Sequence, residues 1–171
     1  MKNAFIHTAC LLALLALFGL PAHTYAQDAK NDKAAAKELA IKNMVDSQHY
    51  VFVAQTVLPL SGRSRQLTSD YDVKVSPTSI ICDLPYFGRA YQAPIDPSQG
   101  GLHFTSKDFE YTVTPGKKQG WTIIIKPKDF KDVQQMTLGI SSSGYASLQV
   151  TSINKQPISF NGIIRAPRTK K

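Results

Sequence analysis

Apolar and polar residues alternate with period two along most of the chain after residue 70. Tyr71, Val73 and Val75 are interleaved with Asp70, Asp72 and Lys74. Phe109, Tyr111 and Val113 are interleaved with Glu110, Thr112 and Thr114, and Trp121, Ile123 and Ile125 repeat the spacing. Such alternation places one set of side chains on each face of a strand, so each run predicts a strand with one buried face. Denser apolar runs at Tyr50–Leu58 and Ile80–Leu84 predict further strands. Leu102 and Phe104 begin another, and three more follow around 133–140, 145–152 and 157–164. The turn cluster Pro115–Gly120 joins two of these runs into a β-hairpin.

Only one stretch has a helical period. From Ala34 to about Gln48, Leu39, Ile41 and Met44/Val45 form an apolar stripe, with Asn31 or Asp32 as the expected cap. A helix packed on a sheet is the expected role, since the stretch has few basic residues and no aromatic belt for a membrane surface. No helical segment separates the strands, which argues against parallel βαβ units. The predicted fold is mainly β: an antiparallel curved sheet or barrel of about nine strands with one N-terminal helix. The patterns leave barrel and sandwich both open. The helix is expected over one open end or one face.

The opening segment changes the count of residues that must fold. Lys2 precedes the apolar run Ala9–Leu20, Pro21 breaks it, and Thr24-Tyr25-Ala26 offers a small-x-small cleavage site. This is the layout of a secretory signal peptide, and 12 apolar residues are too few to span a bilayer. The expected organisation is a signal peptide over 1–26, an N-terminal linker and helix over 27–48, an antiparallel β domain over 49–164 and a basic tail over 165–171. The protein is expected to be exported, periplasmic or secreted, with no membrane span after signal removal.

Of 171 residues, 145 then remain, and the net charge falls from +8 to +7 with the loss of Lys2. Cys10 is lost as well, so Cys82 has no partner for an intramolecular disulfide. Stability must come from a core, which a domain of this size can build.

Five runs together resemble one family. They are Leu84-Pro85-Tyr86-Phe87-Gly88-Arg89-Ala90, Gly101-Leu102-x-Phe104, Trp121-x-Ile123, and Gly144–Leu148 followed by Ser152–Gly162 (SINKQPISFNG). This pattern resembles the secreted bacterial family known as domain of unknown function 4251, over roughly Ala40 to Ile164. The chain departs from it at Lys155, where the family pattern carries Arg. The resemblance implies an exported β-rich domain and supplies no catalytic residues.

The chemistry-bearing residues are sparse. After leader removal the histidines are His49 and His103, and neither lies in a metal-binding spacing. No metal site and no cofactor are expected. Gly139–Gly144 (GISSSG) carries one serine too many for a nucleophile elbow and reads as a turn. Cys82 sits among Ile80, Ile81 and Leu84 and reads as a buried thiol. Gly116-Lys117-Lys118 lacks phosphate-loop spacing. Asp70/Asp72 and Asp108/Glu110 read as the solvent face of their strands. No catalytic site is expected, and no enzyme activity.

The long connection 85–100 is the candidate binding segment, because structureless loops of this length are often functional. It offers Tyr86, Phe87, Arg89 and Tyr91: flat rings with polar tips and a guanidinium suited to carboxylate or phosphate. A structural role is the competing reading. In that version Phe87 plugs the core, Gly88 holds a positive φ, and Arg89 pairs with Asp83 or Asp96. The positive charge is spread over turns and tail, and export argues against nucleic acid as the partner. The expected function is non-enzymatic: binding an envelope component or small amphiphile, partner and oligomeric state undefined. The alternative is a structural or interaction protein that docks an envelope partner through a sheet edge or the basic tail.

Overall fold

The computed structural model describes residues 24–91, 100–116 and 119–168. Most of the expected leader and the last three tail residues lie outside them. The chain divides into two units at Ala35/Ala36. The described part of the first is helical; the second holds the remaining helix and every strand.

Helix α1 spans Thr24–Asp46. It starts earlier than the expected Asn31 or Asp32 cap, because no Gly or Pro interrupts residues 24–46. Ile41 and Val45 are buried against the sheet, with Met44 partly buried beside them. Leu39 does not belong to that stripe and is 58% exposed. It precedes Ile41 by two residues, which is roughly 200° around the helix. The helix ends in a Schellman turn: Gln48 N–H donates to Val45 O, His49 N–H donates to Met44 O, and Gln48 has φ 51°.

Ten strands follow: β1 (Tyr50–Pro59), β2 (Arg65–Gln66), β3 (Asp72–Ser76), β4 (Ser79–Leu84), β5 (Leu102–Ser106), β6 (Phe109–Pro115), β7 (Trp121–Pro127), β8 (Val133–Ile140), β9 (Tyr145–Ser152) and β10 (Ile158–Arg165). Their order is β5-β4-β3-β1-β10-β9-β8-β7-β6, with β2 paired to β1 off this path. Every neighbouring pair is antiparallel. The result is a nearly closed, barrel-like sheet, which decides between the two architectures left open by the pattern.

The seam of the barrel follows from direction. Eight antiparallel steps separate β5 from β6, so the two run the same way. That shared direction excludes a hairpin, and the two linking residues, Lys107 and Asp108, are too few for a crossover. They are two halves of one bent strand, the first half pairing with β4 and the second with β7. Asp129, from the β7–β8 connection, braces the bend. Its carboxylate accepts from Ser106 Oγ, from Lys107 N–H (2.8 Å) and from Asp108 N–H (3.2 Å). The adjacent Phe130 ring stacks on Phe104 of β5 with centroids 4.5 Å apart.

The inward residues form one cluster that includes Tyr50, Phe52, Ile80, Leu84, Ile123, Met136, Leu148 and Phe160. Each fully buried aliphatic or aromatic side chain contributes ~1.5–3 kcal/mol of burial free energy. Near the α1 end, Tyr50 of β1 and Tyr111 of β6 meet hydroxyl to hydroxyl at 3.1 Å. Burial raises the pKa of both, so both stay protonated and serve as hydrogen-bonding groups. Gly162 lies at the β1 bulge between Ala54 and Thr56, where a Cβ would run into the Val53 carbonyl. The glycine allows the first and last strands to approach there.

Candidate functional site

Beyond β4 the chain turns at the barrel end opposite α1. Pro85 is buried and Tyr86 partly buried, and residues 89–91 then run beside the β9–β10 connection. Gln156 N–H donates to Arg89 O (3.0 Å), Tyr91 N–H donates to Asn154 O (2.8 Å), and Ala90 bridges Lys155. Tyr86 Oη lies 2.8 Å from Arg89 O and 3.0 Å from Gln156 O, so one hydroxyl ties both segments. Partial burial raises its pKa.

Lys155 completes the staple. Its ammonium sits 5.4 Å from the centroid of the Tyr86 ring and donates to Gly101 O at 2.9 Å. One N–H and one ring face are used, which a point charge satisfies without a guanidinium. Three of the runs that carry the family resemblance therefore meet here: 84–90, 101–104 and 152–157.

The four candidate residues divide. Tyr86 is part of the scaffold. Phe87 is 41% exposed, Arg89 is exposed and Tyr91 is 66% exposed. Phe87 does not plug the core; Arg65 of β2 lies over its outer face at 5.1 Å. Gly88 does not need a positive φ, because the left-handed glycines among the described residues are Gly62 and Gly144. It needs room: a Cβ there would collide with the Tyr86 hydroxyl and ring. Asp83 pairs with His103 (Nδ1 to Oδ1, 2.6 Å), and Asp96 lies outside the described residues.

The chemistry-bearing side chains elsewhere stay apart. Cys82 points inward and is buried, and desolvation, with Asp83 and Asp72 adding to it, raises its thiol pKa. His103 lies on the outer face of the neighbouring strand, out of reach as its base. His49 is exposed ahead of β1. Glu110 pairs with Lys128 at the surface (3.2 Å). Among the described residues no three His, Cys, Asp or Glu side chains converge as metal ligands. No helix among them is long and apolar enough to cross a membrane.

Sequence reasoning missed two surface features. One is a shallow groove of about 430 Å³ bordered by Gln55, Gly139, Tyr145, Ser147 and Asn161. The other is a cleft of about 420 Å³ near the α1 end, bordered by Val51, Lys74, Ile81, Arg165 and Arg168. Their residues are scattered along the sequence, so no local motif announces either.

Comparison with known proteins is consistent with the architecture. The family model described as "Domain of unknown function (DUF4251)" matches residues 32–164. A crystal structure of a DUF4251 family protein from Bacteroides eggerthii DSM 20697 is similar, with a TM-score of 0.56. The two are 14% identical, and the match covers 77% of this chain and 89% of that one. No curated protein matches the chain.

Proposed function

We propose, for a chain that belongs to the DUF4251 family of domains of unknown function, an exported, non-enzymatic domain that binds an envelope component or small amphiphile. The observation that carries this reading is the stapled loop at the barrel end. Tyr86, Lys155 and two backbone hydrogen bonds hold residues 86–91 in place. Phe87, Arg89 and Tyr91 are thereby presented outward on a preorganised support, which lowers the ordering cost of binding. The exposed Tyr91 ring, the Phe87 ring under the Arg65 guanidinium, and the exposed Arg89 suit a ligand with an apolar body and an anionic group. The non-enzymatic reading is supported by the distance of Cys82 from a base and by its raised pKa.

The test compares the protein with a Phe87→Ala/Arg89→Ala/Tyr91→Ala variant in cosedimentation with isolated cell envelopes. These side chains are exposed, so the fold should persist. Loss of cosedimentation supports the surface; unchanged cosedimentation removes it. Export is checked separately by fractionation and by the mass of the mature chain, expected to begin at Gln27.

A second reading is favoured by one observation. Among the described residues β6 pairs only with β7, and Thr112–Pro115 are exposed. An open strand edge can accept a strand from a partner. Val113→Lys on that edge should abolish docking of this type while leaving the Phe87 surface unaffected.

A further inference from the structure

We propose a second binding site, on the outer wall of the barrel near α1, for a small amphiphile with one oxyanion head. It goes beyond the loop surface and shares no residue with it. The argument begins from register. Arg165 of β10 lies opposite Val51 of β1, Val51 opposite Lys74 of β3, and Lys74 opposite Ile81 of β4. One row across four strands thus carries cation, apolar, cation, apolar on the outer face.

A row of this kind on an ordinary outer wall is solvated. Here its centre, at Val51, is recessed. Val51 faces away from the core side chains Tyr50 and Phe52, yet it is only 4% exposed. After β10, Pro167 and Arg168 form a wall of the cleft, which measures about 420 Å³. That size lies within the range of small-ligand pockets. Val51, Ile81 and Pro167 supply apolar lining, and Lys74, Arg165 and Arg168 supply the cationic groups.

Charge positions the head group at one end. Lys74 already pairs with Asp72 at 3.5 Å. Asp70 is a further acidic lining residue, and His49 a titratable one. At the β10 end stand Arg165 and Arg168. Arg165 Nε is buried and has no hydrogen-bond partner in the protein. Buried N–H donors rarely remain so, and a guanidinium answers best to a planar or tetrahedral oxyanion. A carboxylate or phosphate at the Arg165 guanidinium, with its apolar body on Val51 and Ile81, gives that under-partnered group an acceptor and covers the exposed face of Ile81. A single alkyl chain is the simplest body of that shape.

The test is isothermal titration of the full mature protein with decanoate, decyl phosphate, decanol and inorganic phosphate, each below its micellar range. Decanoate or decyl phosphate should bind, with decanol weaker by about tenfold or more. Arg165→Gln should weaken the bound anion by about tenfold or more. Ile81→Glu, at an already exposed position, should do the same by putting a charge under the apolar body, and it keeps the test valid if the arginine variant unfolds. Decanol binding as well as decanoate, or inorganic phosphate binding as well as decyl phosphate, overturns the proposal. So does binding only to phosphatidylglycerol vesicles, which indicates surface attachment instead of a cleft. The Phe87/Arg89/Tyr91 alanine variant should keep the Arg165-dependent component of decanoate binding, so failure of the loop surface and failure of this site are separable.

Discussion

The hydroxyl of Tyr86 reaches the carbonyl oxygen of Gln156 at 3.0 Å, across 70 residues of sequence. The same oxygen lies 2.8 Å from Arg89 O, so the contact closes the turn after β4 and docks it on the β9–β10 connection. The loop that carries the exposed aromatic surface is held by this one polar atom and the flanking backbone bonds.

Removing that atom is the most direct test of the staple. Tyr86→Phe should lower stability by about 1 kcal/mol, the usual net worth of a hydrogen bond at a part-buried site. Urea denaturation measures the loss. Hydrogen exchange at the Tyr91 and Gln156 amides should speed up more than exchange at core strands.

Gly162 and Gly88 rank in a definite order. A Cβ at 162 meets the backbone of Val53 and Ala54, which can yield only by separating β1 from β10. A Cβ at 88 meets the Tyr86 side chain, which can swing aside. Gly88→Ala should cost about 1–3 kcal/mol, and Gly162→Ala should cost more. Thermal unfolding of the two variants gives the comparison, and equal costs would contradict it.

Tyr50 is fully buried, and its hydroxyl faces that of Tyr111. Tyr111→Phe leaves the Tyr50 oxygen without that partner and should destabilise by about 1–3 kcal/mol. Changing both tyrosines to Phe should cost less than the sum of the single changes. A double-mutant cycle by chemical denaturation reads the coupling.

Asp129 makes the bend between β5 and β6 sensitive to acid. The hydrogen bond from Ser106 leads the causes that hold its pKa below the ordinary 3.8, with the Lys107 and Asp108 amides adding to it. A depressed carboxyl contributes stability above the unfolded-state pKa and loses it as pH falls through the folded one. Asp129→Asn should therefore be less stable than the parent at about pH 5, and the gap should narrow toward about pH 2.5. Urea midpoints across that range check the sign.

Much of the fold is legible in the residues because strand alternation is a local signal. The Phe109–Val113 and Trp121–Ile125 runs become β6 and β7, paired as the expected hairpin. The Ala34–Gln48 stripe becomes the packed end of α1, with its face set by Ile41 and Val45. Leu39 misled because a short apolar stripe fits more than one helical face.

The candidate loop was legible only as a segment. Composition identifies Tyr86, Phe87, Arg89 and Tyr91, but it leaves open which of them anchor the chain and which face outward. Their division into one anchor and three presented side chains depends on Asn154–Gln156, which no local pattern connects to them.

The sequence by itself determined the class of this protein. Period-two alternation and one helical stripe specify an antiparallel sheet with a helix, since each strand needs one face buried. Only the tertiary structure decided how the sheet closes, where the motif runs meet and which wall of the barrel is recessed. Closure depends on the summed direction and register of nine strands, and the Arg165–Val51–Lys74–Ile81 row depends on four of them at once. Those are relations between distant segments, and periodicity within a segment carries no information about them.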